Sequence, residues 1–521
     1  LVFYLLLIPT FLFSQPALTN KTISSIEKDT VALRYSENIS AEDMSINLHV
    51  LASDEYEGRE TGKKGQKMAA EYIANQFKMA GIPPYKKNSY YQEFLLNLIL
   101  PETTDIIVKG KKFKGNEDFY NYPEQTERHF ETTDIEFLGY GIEEENYHDY
   151  KGIDVKDKVV MILAGEPFTK DSLSLITGKK EKSVWSINYK AKQEKAKEKG
   201  VKILLIVVDD VAKDILDNKH RIETPSLNLE LNNEEMFVIY ISKKMADDIL
   251  KKERIKTIQQ KISRTQKPFS IAVKTNFVIN TKNKVQKVSS ENVLAYIEGS
   301  GLKEELVIIT AHYDHLGMVG NVIYNGADDD GSGTVAVIEL AKTFAKAKQE
   351  GYGPRRSMLF MTVAGEEKGL LGSAYYVKDP VYPLKNTVCD LNIDMIGRLD
   401  IKHENNPDYI YLIGADKLSS SLNAISENAN KTYTHLELDY TYNDENDKNH
   451  FYYRSDHYNF AKNGIPVIFY FNGVHADYHK PTDTVEKINF AKMKKITTLV
   501  FFTAWELANR TERIKVDSDK K

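Results

Sequence analysis

Four mostly apolar runs constrain this 521-residue chain more than any other feature: Leu306 to Thr310, Met358 to Val363, Val388 to Ile393 and Ile465 to Phe471. Short runs that stay apolar instead of alternating read as strands buried on both faces, the pattern of an open α/β sheet covered by helices. Each hands over at its carboxyl end to polar residues: Ala311-His312-Tyr313-Asp314-His315, Ala364-Gly365-Glu366-Glu367, Asp394, and a loop carrying His475 and His479. Ligands of such sheets sit outside the carboxyl ends of the strands. One crevice can therefore collect all four groups. Gly331-Ser332-Gly333 leads into a predicted helix over Thr334 to Lys348, with Val337, Leu340, Ala341 and Phe344 on one stripe. The acidic turn Gly326-Ala327-Asp328-Asp329-Asp330 precedes that helix. Taken alone it is an ordinary cap, because negative charge is favoured at a helix N-terminus.

Carboxylates are common in a chain with 75 Asp plus Glu, so placement matters more than number. Zinc takes nitrogen and oxygen ligands in a tetrahedral shell, and a catalytic zinc keeps one position for water. Two such ions at about 3.5–4 Å need a shared ligand, and a short, rigidly held aspartate suits that role. Each ion then needs one histidine and one further carboxylate. The set His312, Asp329, Glu366, Glu367, Asp394 and His479 meets that need and leaves Glu366 free as a general base. Such a base takes a proton from the attacking water and returns it to a departing amine. Singly these residues say less: a lone buried histidine beside a strand is usually a satisfied core group, and paired glutamates usually open a solvated helix.

Five segments in order carry a family resemblance: Ala311-His312-Tyr313-Asp314, Gly326 through Gly333, Gly365-Glu366-Glu367-Lys368-Gly369-Leu370-Leu371-Gly372-Ser373, Asn392-Ile393-Asp394-Met395-Ile396-Gly397 and Tyr478-His479. Together they resemble the co-catalytic zinc aminopeptidases of clan MH, the family of bacterial leucyl aminopeptidase, aminopeptidase Y and aminopeptidase S. The resemblance implies two Zn2+ ions per chain, with Asp329 as the bridge. His312 and Asp394 would hold one ion, Glu367 and His479 the other. Glu366 would be the base, and Asp314 would hold the His312 ring by its second nitrogen. The family also places a strained peptide link after its bridging aspartate, here Asp329 to Asp330. His315, His457 and His475 receive no zinc from the resemblance. His475 competes with His479, but Asp477 to Thr484 matches the family's closing motif around His479; Ser455-Asp456-His457-Tyr458 resembles a recurrent family segment and makes His457 an outer-shell candidate. The acidic, aromatic stretch Tyr433 to Tyr453 reads either as a specificity wall that attracts a peptide's amino group or as a solvated loop. A calcium loop in Asn443 to Asp447 lacks the spacing of an EF-hand.

The expected fold is α/β: a mixed, mainly parallel central sheet flanked by helices, the zinc exopeptidase fold, with an inserted β-rich protease-associated domain. Residues 1–17 read as a truncated secretory signal, because Leu1 to Phe13 is nearly all apolar and too short to span a bilayer. Export to the periplasm or outside follows, with no stable membrane insertion after signal removal. Residues 25–111 are expected to open the peptidase domain, with helical spacing between Ile39 and Ile82 and a glycine-arginine turn at Glu57-Gly58-Arg59-Glu60-Thr61-Gly62 that resembles the family's. Residues 112–284 change to short strands, Asp134 to Leu138, Val159 to Leu163, Ile203 to Val208 and Phe237 to Ile241, with a helix from Tyr189 to Lys199; this part resembles a protease-associated domain. Residues 285–509 return to the catalytic part and end in a helix from Phe490 to Glu506, followed by a charged tail, 510–521, expected to be disordered. The lone Cys389 forms no intrachain disulfide and reads as a core thiol. A net charge of -5 without a basic stripe excludes nucleic acid as a partner. The expected activity is removal of N-terminal residues from peptides by a two-metal bridging-water mechanism. Carboxypeptidase or dipeptidase action, glutaminyl cyclisation on one zinc, and a non-catalytic receptor-like scaffold are the alternatives on the same frame.

Overall fold

The four apolar runs become the four central strands of a nine-stranded sheet. The computed structural model describes residues 28–518 except 86–87, 102–103, 124–127, 188, 232–235, 252 and 283; the expected signal segment lies outside them. The sheet runs Ser226–Asn228, Tyr91–Leu100, Lys284–Ile297, Arg356–Val363, Leu302–His312, Thr387–Ile393, Val467–Phe471, Tyr409–Ile413, Glu437–Asp439. The central four pair in parallel, and the strands joining them from either side are antiparallel. The sheet is thus mixed, with its parallel part where the sequence is most continuously apolar.

Leu302–His312 is the pivot. The chain leaves it to form Arg356–Val363 on one side and then crosses to form Thr387–Ile393 on the other. A reversal of that kind opens a crevice at the carboxyl ends of the strands. Alternate residues of the pivot strand go to opposite layers. Val307, Ile309 and Ala311 join the core under the helices Ala41–Leu51, Lys64–Met79, Gly333–Gln349 and Phe490–Asn509. Leu306 and Ile308 face Tyr376 and Phe460, on the helices Leu371–Lys378 and His457–Ala461. Each fully buried apolar side chain of this kind stabilises the fold by about 1.5–3 kcal/mol. Cys389 is a buried free thiol in that core.

A second, eight-stranded sheet runs Lys111–Phe113, Thr104–Val108, Ser270–Thr281, Arg128–Leu138, Val159–Leu163, Ile203–Val207, Phe237–Ile241, Phe119–Tyr120. One expectation needs correcting here: the sheet takes up chain from Thr104 and not from 112, because Thr104–Val108 pairs with Phe277 to Thr281. The expected helix spans Lys190–Glu198, and two further helices, Lys243–Leu250 and Ile255–Thr265, place Met245, Ile249, Ile258 and Ile262 on one face of the sheet. One short strand of this lobe, Ser226–Asn228, pairs with Tyr91–Leu100 and lengthens the first sheet.

The charged tail is tethered to the fold, although among residues 511–518 only Ile514 is buried. The buried Arg356 guanidinium donates to the carbonyls of Leu507 at 2.9 Å and Arg510 at 2.6 Å, Arg513 donates to Thr387 O at 2.6 Å, and Ile514 is buried. Composition suggested disorder, but the tail's carbonyls satisfy a cation at the amino end of a central strand. Among the described residues no helix is long and apolar enough to cross a membrane.

Candidate metal centre

His312 ends the pivot strand, Asp394 directly follows Thr387–Ile393, and Glu366 and Glu367 lie in the turn after Arg356–Val363. Gly365 has φ +81°, so the chain turns back sharply enough to bring both glutamates over the sheet end. Asp329 stands in the turn Ala327–Ser332 before the helix Gly333–Gln349, and His479 in the loop after Val467–Phe471.

The three aspartates of the acidic turn divide their work. Asp328 accepts Gly397 N at 2.6 Å and lies 3.2 Å from His475 Nε2. Asp330 accepts Gly333 N at 2.8 Å, Met395 N at 3.0 Å and His312 N at 3.2 Å. Both are spent on tying loops together. Asp329 alone turns into the crevice, and its peptide bond to Asp330 is cis. Its Oδ1 is 3.3 Å from His312 Nε2 and its Oδ2 is 3.0 Å from His479 Nε2. On one side Asp394 Oδ1 lies 3.7 Å from His312 Nε2; on the other Glu367 Oε2 lies 3.3 Å from His479 Nε2. Glu366 Oε2 is 3.9 Å from His312 Nε2.

Asp314 behaves differently from expectation. The His312 Nδ1 atom is 3.0 Å from the main-chain carbonyl of Asp314 and 3.8 Å from its carboxylate. That carboxylate is already engaged: it accepts Thr61 Oγ1 at 2.6 Å and Glu366 N at 3.2 Å. The ring is therefore held by backbone, and the Asp314 side chain instead joins the opening turn to the Glu366 loop. His475 is turned away from the crevice by Asp328, and its Nδ1 accepts Asp477 N at 3.2 Å. His457 is fully buried and stacks on Phe469 at 4.7 Å; burial pushes its pKa down to about 3, so it is a neutral core ring.

Several contributors lie in segments to which the sequence assigned no chemical role. Ser455 Oγ donates to Asp394 Oδ2 at 2.7 Å and fixes that carboxylate from behind. The buried Arg59 donates to the carbonyls of Leu51, Tyr313, Asn325 and Gly326 at 2.7–2.8 Å, clamping the turn that precedes Asp329. Met395, Phe451, Phe469 and Phe471 form an apolar wall beside the acidic cluster, and Arg454, Tyr478 and His479 complete the cavity. Phe451 comes from the aromatic stretch read as a specificity wall. The acids of that stretch do not face the cavity: Asp444 and Asp447 cap their own turns at Asn446 and Asn449, and Asp439 pairs with Lys402. The side chains of His315 and Arg59 are fully enclosed, and the only signal for them was their position within motifs whose other members carry the chemistry.

The electrostatics are those of a site built for cations. Burial disfavours charge on His312, yet Glu366, Asp394 and Asp329 outweigh it and raise its pKa well above the usual value. His479 is pushed up to about 10 by Asp329 and Glu367 against the effect of burial. Burial and the neighbouring carboxylates Glu367 and Asp394 hold Glu366 well above the usual range, whereas the histidines His315 and His479 bring Glu367 down to about 2 against burial. Adjacent glutamates driven in opposite directions are suited to different tasks. Asp329 Oδ2 and Glu367 Oε1 are buried and make no aligned hydrogen bond, although His479 Nε2 lies 3.0 Å from the first and His315 Nδ1 2.8 Å from the second; a cation beside Asp329 would relieve that condition, a costly one for carboxylates. Two donor groups meet the spacing for an ion, His312/Asp329/Asp394 and His315/Asp329/Glu367, with donor atoms within 4.8 Å of one another. Imidazole and carboxylate donors suit zinc, so the residues present fit it.

The open α/β sheet thus brings imidazoles and carboxylates together at its switch point. Residues 292–504 match the profile of Peptidase family M28. A probable leucine aminopeptidase of Arthroderma otae is 32% identical over 215 residues, covering 40% of this chain and 56% of that protein. Aminopeptidase YwaD of Bacillus subtilis is 26% identical over 235 residues, covering 44% and 47%. The chain thus spans about half the length of these curated relatives. In fold, an aminopeptidase from Aneurinibacillus sp. strain AM-1 superposes with a TM-score of 0.53 at 18% identity, over 94% of this chain and 99% of that one.

Proposed function

We propose that the protein is an exported zinc metallopeptidase that removes N-terminal residues from peptides, using two ions that share Asp329. The observation that carries this reading is Asp329 itself: its Oδ1 lies 3.3 Å from His312 Nε2 and its Oδ2 3.0 Å from His479 Nε2, with a general-base candidate, Glu366, beside them. His312 and Asp394 would hold one ion, Glu367 and His479 the other. Bound there, the ions would polarise the scissile carbonyl and ease deprotonation of water. Glu366, its pKa raised by burial and neighbouring acids, is the group placed to accept a proton and return it to the departing amine. The apolar wall of Met395, Phe451, Phe469 and Phe471 accommodates an apolar side chain. The second lobe, which resembles a protease-associated domain, would help to dock or gate peptides.

One observation favours a second reading, recognition of a substrate carboxylate. Arg454 lines the cavity and, among the described residues, pairs with no carboxylate; its Nη2 is 3.3 Å from Tyr478 Oη. A dipeptide's carboxyl group would fit that guanidinium. A panel of amino-acid amides, dipeptides and peptides blocked at either end, assayed with and without chelator, separates the readings. Cleavage that needs a free amino terminus and fails after chelation supports aminopeptidase action. Cleavage of amino-blocked, carboxyl-free peptides would replace it with carboxypeptidase action, and full activity in chelator would end both.

A further inference from the structure

His315 was left without a role by the sequence, yet it is fully buried beside the acidic cluster. Its Nδ1 lies 2.8 Å from Glu367 Oε1, a charge-pair contact not aligned as a hydrogen bond, and neither ring nitrogen has a hydrogen-bond partner among the described residues. The ring is seated on Gly326, where an added Cβ would fall 2.4 Å from it, and its main-chain N–H donates to Arg59 O at 3.2 Å. His315 is thus fixed from two sides before it meets Glu367. The two oxygens of Glu367 are divided: Oε1 faces His315, and Oε2 lies 3.3 Å from His479 Nε2 on the side of Asp329.

We infer that His315 is a positioning residue, whose Nδ1–H holds Glu367 Oε1 so that Glu367 presents Oε2 alone to the second cation. A glutamate has three rotatable bonds and two equivalent oxygens. Unrestrained, it would turn toward Glu366 or chelate with both oxygens, and either would blur the division between ligand and base. Outer-shell partners that orient a ligand typically change metal affinity by about 10–100-fold. The distances favour this role over direct ligation, because Nδ1 is 3.9 Å from Asp329 Oδ2 while His479 Nε2 is 3.0 Å from the same atom.

The inference rests on the two-ion reading, and zinc binding tests the two separately. Zinc-free protein is titrated by equilibrium dialysis, with bound metal counted by elemental analysis. Wild type should take up two ions; fewer than two would sink the two-ion reading itself. H315F keeps the ring but removes the donor, whereas H315N keeps a donor where Nδ1 stands. With two ions in wild type, H315F should hold the first unchanged and bind the second about 10–100-fold more weakly, and H315N should stay within about threefold of wild type. Wild-type binding by H315F would overturn the inference, and so would a loss in H315N as large as in H315F, which would make His315 a ligand. If H315F does not fold, as judged by thermal unfolding of the zinc-free protein, H315Q replaces it. Its amide reaches the Nε2 position instead, so it should weaken the second ion while H315N does not, and equal binding by the two again overturns the inference.

Discussion

The two sheets share a plan but treat their acids in opposite ways. In the second lobe three parallel strands, Val159–Leu163, Ile203–Val207 and Phe237–Ile241, also end on polar residues. There Glu166 accepts Ser183 N at 3.0 Å, Asp210 accepts Lys213 N at 3.0 Å as a helix cap, Asp209 meets Lys243 at 2.7 Å, and Ser242 accepts Met245 N at 3.2 Å. Every one of those groups is used within the fold. At the same place in the peptidase sheet, Asp329 Oδ2 and Glu367 Oε1 are buried, make no aligned hydrogen bond and face histidine nitrogens at 3.0 and 2.8 Å. Acids after parallel strands are thus a property of the architecture, and the candidate site is where several of them converge on one crevice and meet imidazoles there.

The largest effect that would break this contrast is at the shared carboxylate. Asp329→Ala should abolish both zinc uptake and peptide cleavage, more than about 10⁴-fold in kcat/KM, since both donor groups lose a member. Retention of two ions in that variant would show that the donor groups are independent. Glu366→Ala should lower kcat by about 10²–10⁴-fold while both ions remain bound, as counted by elemental analysis. Equal turnover in that variant would remove Glu366 as the base. Arg59→Met tests the scaffold behind the acids. Four carbonyls lose their donor and Asp314, Asp329, Asp330 and Asp483 lose a neighbouring cation, so denaturant unfolding should show a loss of about 3–5 kcal/mol. In the second lobe, Ser242→Ala should cost only about 1 kcal/mol and leave zinc binding untouched, because there the polar group caps a helix and nothing more.

Much of the peptidase sheet was legible because continuous apolar runs have one good home, a doubly covered parallel strand. All four runs became central strands, and the helix expected over Thr334 to Lys348 spans Gly333–Gln349. The acidic turn was readable only as a set. Nothing in the run Asp328-Asp329-Asp330 distinguishes its members by composition, and the division arises from which backbone N–H groups the tertiary fold brings near each one. The Asp314 role differs for the same reason: Thr61, from a turn 253 residues earlier, takes one carboxylate oxygen, and Glu366 N takes the other, the one nearer His312. The start at Thr104 was hidden because Thr104–Val108 is only five residues long and its partner, Ser270–Thr281, lies far along the chain. The tail looked disordered by charge, but charge says nothing about where its carbonyls go.

The smallest predicted effect sharpens the contrast from the other side, since the second lobe also buries a charge-bearing pair that serves structure alone. Lys192 is buried, and its Nζ donates to Leu163 O at 2.9 Å and to Tyr140 O; burial lowers its pKa from 10.5 to about 7. Burial raises that of Asp149, which accepts Tyr140 N at 3.1 Å and Ile142 N at 3.0 Å, from 3.8 to about 7. The signs follow from proton counting. Between pH 7 and 10.5 the unfolded chain holds the extra proton on Lys192, so stability rises with pH across that window. Between 3.8 and 7 the folded chain holds the extra proton on Asp149, so stability falls as pH rises. The two limbs meet in a minimum near neutrality. Thermal unfolding should therefore give a melting temperature about 2 °C higher at pH 9 than at pH 7, and Lys192→Met should flatten that rise. An equally steep rise in the variant would place the proton elsewhere and show that Lys192 stays charged inside the fold.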